Sequence, residues 1–254
     1  MKILVCGLPK SGTTALTYQI KNSISSDYRL LFEPQKYEEQ KDVNLICKII
    51  FSPFRQDFVH YLDFKNFDKK IQLIRDPRDI IVSSLLYFGA WFELSKLNQN
   101  ELNTILELIK EKESNPQSIS ILELFTRFKI KDFLVNLPHY LSISSQMNLI
   151  YNDLNILKYE DFIIKKTENL ETYLDTKLNK DCSVDKRYSR VIRTKNSGNW
   201  RQWFTQEDIN YFKPLLNDYL SKFDYSNTDW ELNNQTIPSE FASDYIVRVI
   251  KDKK

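Results

Sequence analysis

The chain has 254 residues, 42% of them apolar and 13% aromatic, enough for one large domain with a substantial core and far from a disordered composition. Its 36 basic and 34 acidic residues leave a formal charge of +2, which gives no case for a general nucleic-acid or membrane-surface binder. Three cysteines without paired spacing (Cys6, Cys47, Cys182) and two separated histidines (His60, His139) offer neither a disulfide framework nor a metal cluster, and no apolar run approaches the ~20 residues of a membrane helix.

Five short runs rich in Ile, Leu and Val, at residues 2–6, 28–32, 45–51, 70–74 and 155–158, lack clean alternation, as parallel strands buried on both faces do. Cys6 and Cys47 fall in two of these runs and read as reduced core thiols. The first apolar stretch is interrupted by Gly7 and Pro9 and does not read as a signal peptide, so a soluble, reducing, cytoplasmic setting is the expectation. Helical patterns are predicted at 13–24, 78–88, 97–112, 123–136, 140–151 and 161–174, and Thr205 to Asp208 resembles a capping box opening a helix at 209–223. The tail after Pro238 is apolar at Phe241, Tyr245, Ile246, Val249 and Ile250 and is expected to pack back as a helix. Strand and helix alternate, which predicts an α/β fold in a single domain over 1–254. Its central sheet is mostly parallel, of about five strands flanked by helices, and a strandless helical insertion or lid covers 92–150. The composition fixes no oligomeric state.

Residues 3–14, ILVCGLPKSGTT, carry most of the chemistry. An apolar strand feeds the loop Gly7-Leu8-Pro9-Lys10-Ser11-Gly12, which opens a helix at Thr13-Thr14. Strand, glycine-bounded loop and helix N-terminus make an anion cradle, with backbone N–H groups and the helix dipole directed at the ligand. The nucleoside-triphosphate loop reads G-x-x-x-x-G-K-[ST], its lysine after the second glycine. Here Thr13 holds that place and the lysine, Lys10, lies inside the loop, which points to a different phosphate-bearing donor. Only four glycines occur in the chain, where usage near ~7% predicts about four times as many, and two of them bound this loop.

Two further stretches read as anion contacts. In Ile74-Arg75-Asp76-Pro77-Arg78-Asp79 an arginine leaves the C-terminal end of a strand, where α/β sheets bind ligands, and Ser83 follows on the next helix. Arg75 either grips an anion or pairs with Asp76 or Asp79 in a structural turn. Arg193 to Trp200, RTKNSGNW, is either a basic loop closing over a ligand or a charged surface loop anchored by a buried Trp200. A strand end, Leu157-Lys158-Tyr159-Glu160-Asp161-Phe162, carries an aromatic residue able to flank a base.

These four fragments, in this order, resemble the sulfotransferases that use 3′-phosphoadenosine 5′-phosphosulfate. PKSGTT looks like the family's 5′-phosphosulfate loop, and IRDPRDIIVSS like its 3′-phosphate motif. LKYEDF is similar to its strand-plus-tyrosine element, and R-x-x-x-x-G-N-W to its late basic loop. The resemblance implies a P-loop-like fold. It implies that Pro9, Lys10, Ser11, Gly12, Thr13 and Thr14 hold the 5′-phosphosulfate, that Arg75, Ser83 and Arg193 hold the 3′-phosphate, and that Tyr159 sits near the adenine. Gly198 belongs to the late loop, and Lys195 supplies charge where the family has Arg-Lys-Gly and this chain has Thr194-Lys195. The product would be adenosine 3′,5′-bisphosphate, and no metal is required.

The general base is the least determined part. The family's third-strand histidine is missing, since the stretch reads Cys47-Lys48-Ile49-Ile50. Glu33, in Leu31-Phe32-Glu33-Pro34, is similar to the Phe-Glu-Pro of carbohydrate sulfotransferases. It is expected to follow a second strand lying beside the first and to face the loop; its other reading is a solvated glutamate at a strand end. His60 is the fallback. Trp91, Phe92, Phe125, Phe128 and Tyr140 either wall the acceptor site or belong to the core. The acceptor is expected to be a small-molecule or carbohydrate hydroxyl, with no nucleic acid and no membrane span. The rival readings are a P-loop kinase or NTPase and an inactive nucleotide-binding relative.

Overall fold

The computed structural model describes residues 1–24, 27–39, 43–51, 61–178 and 183–253; His60 and Cys182 lie outside the described residues. Strands are β1 (Lys2–Gly7), β2 (Arg29–Phe32), β3 (Leu45–Ile50), β4 (Lys69–Ile74) and β5 (Leu154–Lys158). Helices are α1 (Thr13–Ser23), α2 (Pro77–Phe88), α3 (Gln99–Ser114), α4 (Ile121–Arg127), α5 (Lys131–Ile150), α6 (Tyr159–Ile163), α7 (Glu168–Leu174), α8 (Trp200–Trp203), α9 (Gln206–Lys222) and α10 (Ser243–Lys253). They fall into two compact units, Met1–Arg75 with His139–Lys186, and Asp76–Pro138 with Arg187–Lys254.

The first unit holds the sheet, five strands all parallel in the order β2-β3-β1-β4-β5. Ile3, Leu4, Val5 and Cys6 of the central strand are fully buried, which explains the unbroken apolar run. Each such aliphatic side chain contributes roughly 1.5–3 kcal/mol when taken out of water. Ile3, Val5, Leu16, Ile20, Ile71, Leu73 and Phe162 belong to one core cluster of this unit. The polar residue in β4, Gln72, is buried and satisfied: its amide donates to the carbonyl and the hydroxyl oxygen of Ser144, at 2.7 and 2.9 Å. Burial pushes the Cys6 thiol up, and the Cys47 thiol up to about 12, so both stay neutral and inert.

The sheet order corrects one expectation. β2 pairs with β3, and β3 with β1, so Glu33 leaves an edge strand one removed from β1 and its loop instead of β1's neighbour.

The second unit is helical, with no strand among its described residues. Helix α9 begins with the expected capping box, Thr205 with Asp208, and starts at Gln206, ahead of the predicted 209. Buried Asp208 also accepts the Ile121 and Leu122 N–H groups, both at 3.0 Å, which starts α4. Buried Lys112 donates to the Pro116 and Ile119 carbonyls at 2.7 and 2.6 Å, closing the α3–α4 turn, and burial pushes its ammonium down to about 8. The tail forms α10 with Tyr245, Ile246, Val249 and Ile250 buried.

Two helix boundaries also differ from the reading. The predicted 123–136 helix stops at Arg127, and the next runs through Pro138 from Lys131 to Ile150. Its buried residues, Phe133, Leu134, Leu137, Leu141, Ser144 and Met147, repeat at helical spacing across the proline, so packing outweighs the one lost N–H bond. The predicted 161–174 helix is α6 and α7, separated after Ile163. Both breaks share a form. Lys129 and Lys165 take left-handed φ values of 57° and 62°, and the next residue's N–H reaches back to Phe125 and Asp161 carbonyls at 3.1 and 2.9 Å. Among the described residues, no helix is long and apolar enough to cross a membrane.

Candidate functional site

The loop after β1 is ordered largely by its own atoms. The Ser11 hydroxyl and N–H both donate to the Leu8 carbonyl, at 2.7 and 3.2 Å, and Ser11 is fully buried. Lys10 sits at φ 65°, a left-handed conformation costly for a residue with a Cβ, and Gly12 at φ 97°. A Cβ on Gly12 would stand 2.7 Å from the Tyr159 ring, and one on Gly7 2.4 Å from the Leu73 carbonyl, so both positions demand glycine sterically. Leu16 N–H bonds the Gly12 carbonyl at 3.2 Å; the N–H groups of Thr13, Thr14 and Ala15 precede that first helical bond. Helix α1 has no side-chain cap and no acidic residue in its first turn, whereas α2, α3, α4 and α9 are capped by Asp76, Asn98, Ser120 and Thr205. The donor set at this N-terminus therefore suits an anion.

Arg75 joins this loop. Its Nη1 donates to the Lys10 carbonyl at 3.0 Å, and its guanidinium lies 4.2 Å from the centre of the Tyr159 ring, the residue that also closes over Gly12. The two acids offered as alternative partners of Arg75 each engage other groups as well. Asp76 binds the Arg78 guanidinium and N–H at 2.7–3.1 Å, and Asp79 binds backbone N–H groups of the late loop. Tyr159 is buried, its ring engaged by Arg75 and the loop.

Glu33 is ion-paired with Lys48 of β3, and its N–H donates to the Lys48 carbonyl at 2.9 Å. Lys48 is buried, its ammonium 4.4 Å from the centre of the Phe32 ring. Although β2 is an edge strand, the carboxylate thus reaches inward to the strand that borders β1.

In the second unit, Ser83 is buried on α2, Arg193 is buried with Nη1 donating to the Phe241 carbonyl at 3.3 Å, and Lys195 is exposed. Gly198 N–H and Trp200 N–H donate to the two carboxylate oxygens of Asp79, at 2.7 and 3.0 Å. Trp200 is buried, as the surface-loop reading required, with the Arg78 and Arg201 guanidinium groups 4.2 and 4.5 Å from its ring centre. Arg78, 3% exposed, also lies 4.9 Å from the Trp230 ring centre and donates to the Asp229 carbonyl at 2.7 Å.

Sequence reasoning offered Asp79 only as a turn partner of Arg75, and passed over Arg78. Their signal was present: two opposite charges inside the otherwise apolar helix PRDIIVSSLLYF, which stay buried only if satisfied. Of the aromatics offered as an acceptor wall, Phe125 and Phe128 are sealed in the core, Phe92 is 36% exposed, and Trp91 stacks on Tyr87 with the Arg190 guanidinium 4.4 Å from its ring centre.

No family model matches the chain, and no curated protein sequence matches it. Among solved structures it is similar to the crystal structure of mouse sulfotransferase SULT7A1 complexed with PAP, at 15% sequence identity and a TM-score of 0.54, covering 89% of each chain. The chain has the sulfotransferase fold, an α/β arrangement with a five-stranded parallel sheet flanked by helices.

Proposed function

We propose that the chain is a sulfotransferase that moves a sulfuryl group from 3′-phosphoadenosine 5′-phosphosulfate to an acceptor hydroxyl, that of a carbohydrate in the reading Phe-Glu-Pro favours. One observation carries it: the uncapped N-terminus of α1 and the displaced Lys10 share a loop tied by Arg75, so two of the sequence fragments meet in one anion-suited constellation. The fold shared with a PAP-bound sulfotransferase supports the same reading.

The donor, when bound, supplies an activated sulfuryl group. In this proposal the N–H groups of Gly12, Thr13 and Thr14 and the Lys10 ammonium stabilise the charge left on the departing phosphate oxygen. Pro9 and Ser11 shape the loop; Ser11, with its hydroxyl and N–H engaged by Leu8, braces it from inside. Arg75, Ser83 and Arg193 hold the 3′-phosphate, with Lys195 and Gly198 on the late loop. Tyr159 acts through Arg75, whose guanidinium it supports. Glu33, ion-paired with Lys48, takes the acceptor hydroxyl's proton while the acceptor oxygen forms its bond to sulfur. In this reading 92–150 is the acceptor-side insertion.

Calorimetry tests the donor assignment. Wild type should bind adenosine 3′,5′-bisphosphate in preference to ATP with magnesium. Lys10→Ala should lower turnover by roughly 10²–10³, the usual loss when a charge-stabilising donor is removed. Preference for ATP with magnesium would overturn the reading. Glu33→Gln should keep bisphosphate affinity and lose turnover with a labelled donor; retained turnover would remove Glu33 from the mechanism.

A further inference from the structure

We propose that Asp79 is a positioning residue for donor binding, holding the 193–200 loop to the α2 face that carries Ser83. The proposal rests on the sulfotransferase reading above. Asp79 is fully buried in the first turn of a helix whose N-cap is already supplied by Asp76. Its carboxylate accepts two backbone N–H groups of the loop, Oδ2 from Gly198 at 2.7 Å and Oδ1 from Trp200 at 3.0 Å. Such charge-assisted bonds fix the path of the chain whatever its side chains are. Ser83 lies one helical turn on, on the same side of α2, and is buried as well.

The other end of the loop is held separately. The Tyr245 hydroxyl donates to the Arg190 carbonyl at 3.2 Å, Arg248 Nη2 to the Ile192 carbonyl at 2.7 Å, and Arg193 Nη1 to the Phe241 carbonyl at 3.3 Å. Between the anchors Lys195, Asn196 and Ser197 are exposed. The stretch is suspended at its two ends; on the Ser83 helix Asp79 holds its backbone, beside Arg78, which packs on the Trp200 ring. Without Asp79 the loop keeps its α10 end, with Arg193, and loses the backbone anchor that sets where the exposed span from Lys195 to Gly198 stands.

The test compares wild type with Asp79→Ala and with Asp79→Asn, which keeps the shape and one acceptor and serves if the alanine variant does not fold. Amide exchange at Gly198 and Trp200 should accelerate by about tenfold or more, with α3 and α4 amides unchanged. Affinity for adenosine 3′,5′-bisphosphate should fall about tenfold, as for loss of one charge-assisted anchor, and the donor KM should rise more than kcat falls. Unchanged exchange at these two amides overturns the proposal, as do released amides with unaltered bisphosphate affinity. A proportional fall in kcat at constant KM, the sign of a partly unfolded population, overturns it too. If wild type does not bind the bisphosphate, the sulfotransferase reading fails and the ligand half of the proposal with it, while the exchange data still decide the anchoring.

Discussion

The two loops that carry the proposed donor contacts are ordered by opposite means. Residues 7–14 are held from within: glycines at both ends, a serine bonded to its own loop, and a lysine locked in left-handed backbone. Residues 193–200 are held from outside, by a carboxylate on α2 and by the Arg78 and Arg201 guanidinium groups near the Trp200 ring. The first loop takes its turn from consecutive residues, with Arg75 and Tyr159 packed on it from farther along the chain. The second takes its path from groups far away in sequence, Asp79 lying 119 and 121 residues from its partners. A motif of the first kind can be read from a short string, and one of the second kind cannot.

Substitutions can break each arrangement separately. The largest effect is expected from Arg78→Met, which leaves Asp76 without its guanidinium and strips one cation from Trp200. Denaturant unfolding should show a loss of roughly 3–5 kcal/mol, with much of it recovered in the double variant carrying Asp76→Asn as well. An unchanged midpoint would mean that the Arg78 contacts contribute nothing. Gly12→Ala attacks the first loop from inside, since it meets Tyr159 and keeps a positive φ. It should cost about 2–3 kcal/mol in the same assay and weaken bisphosphate binding. The smallest effect belongs to Lys195→Ala on the exposed span. Thermal unfolding should shift by no more than ~0.5 kcal/mol equivalent, while bisphosphate affinity drops a few-fold. A large stability loss there would contradict the suspended-span description.

All five strands stand within one residue of their expected places; in β1, β3 and β4 apolar runs buried on both faces account for this, whereas the edge strands β2 and β5 are only partly buried. The helix ends were less legible, for a reason peculiar to this composition. With four glycines, the chain closes α4, α6, α7 and α9 with Lys129, Lys165, Asp175 and Asp224 at positive φ, places where glycine is the usual signal. The breaks after Arg127 and Ile163 therefore carried no mark in the string.

By itself the sequence determined the sheet's strands, the anion loop after β1 and the collinear order of the four fragments, since each depends on neighbours a few residues apart. Only the tertiary structure decided that β3 lies between β2 and β1, and that Glu33 pairs with Lys48 of β3. It alone gave Arg75 to the Lys10 carbonyl, and Asp79 to Gly198 and Trp200. These pairings join residues 15 to 121 positions apart. What selects them is the burial of charged groups, which are stable only where a partner arrives, and sequence spacing does not record where that is.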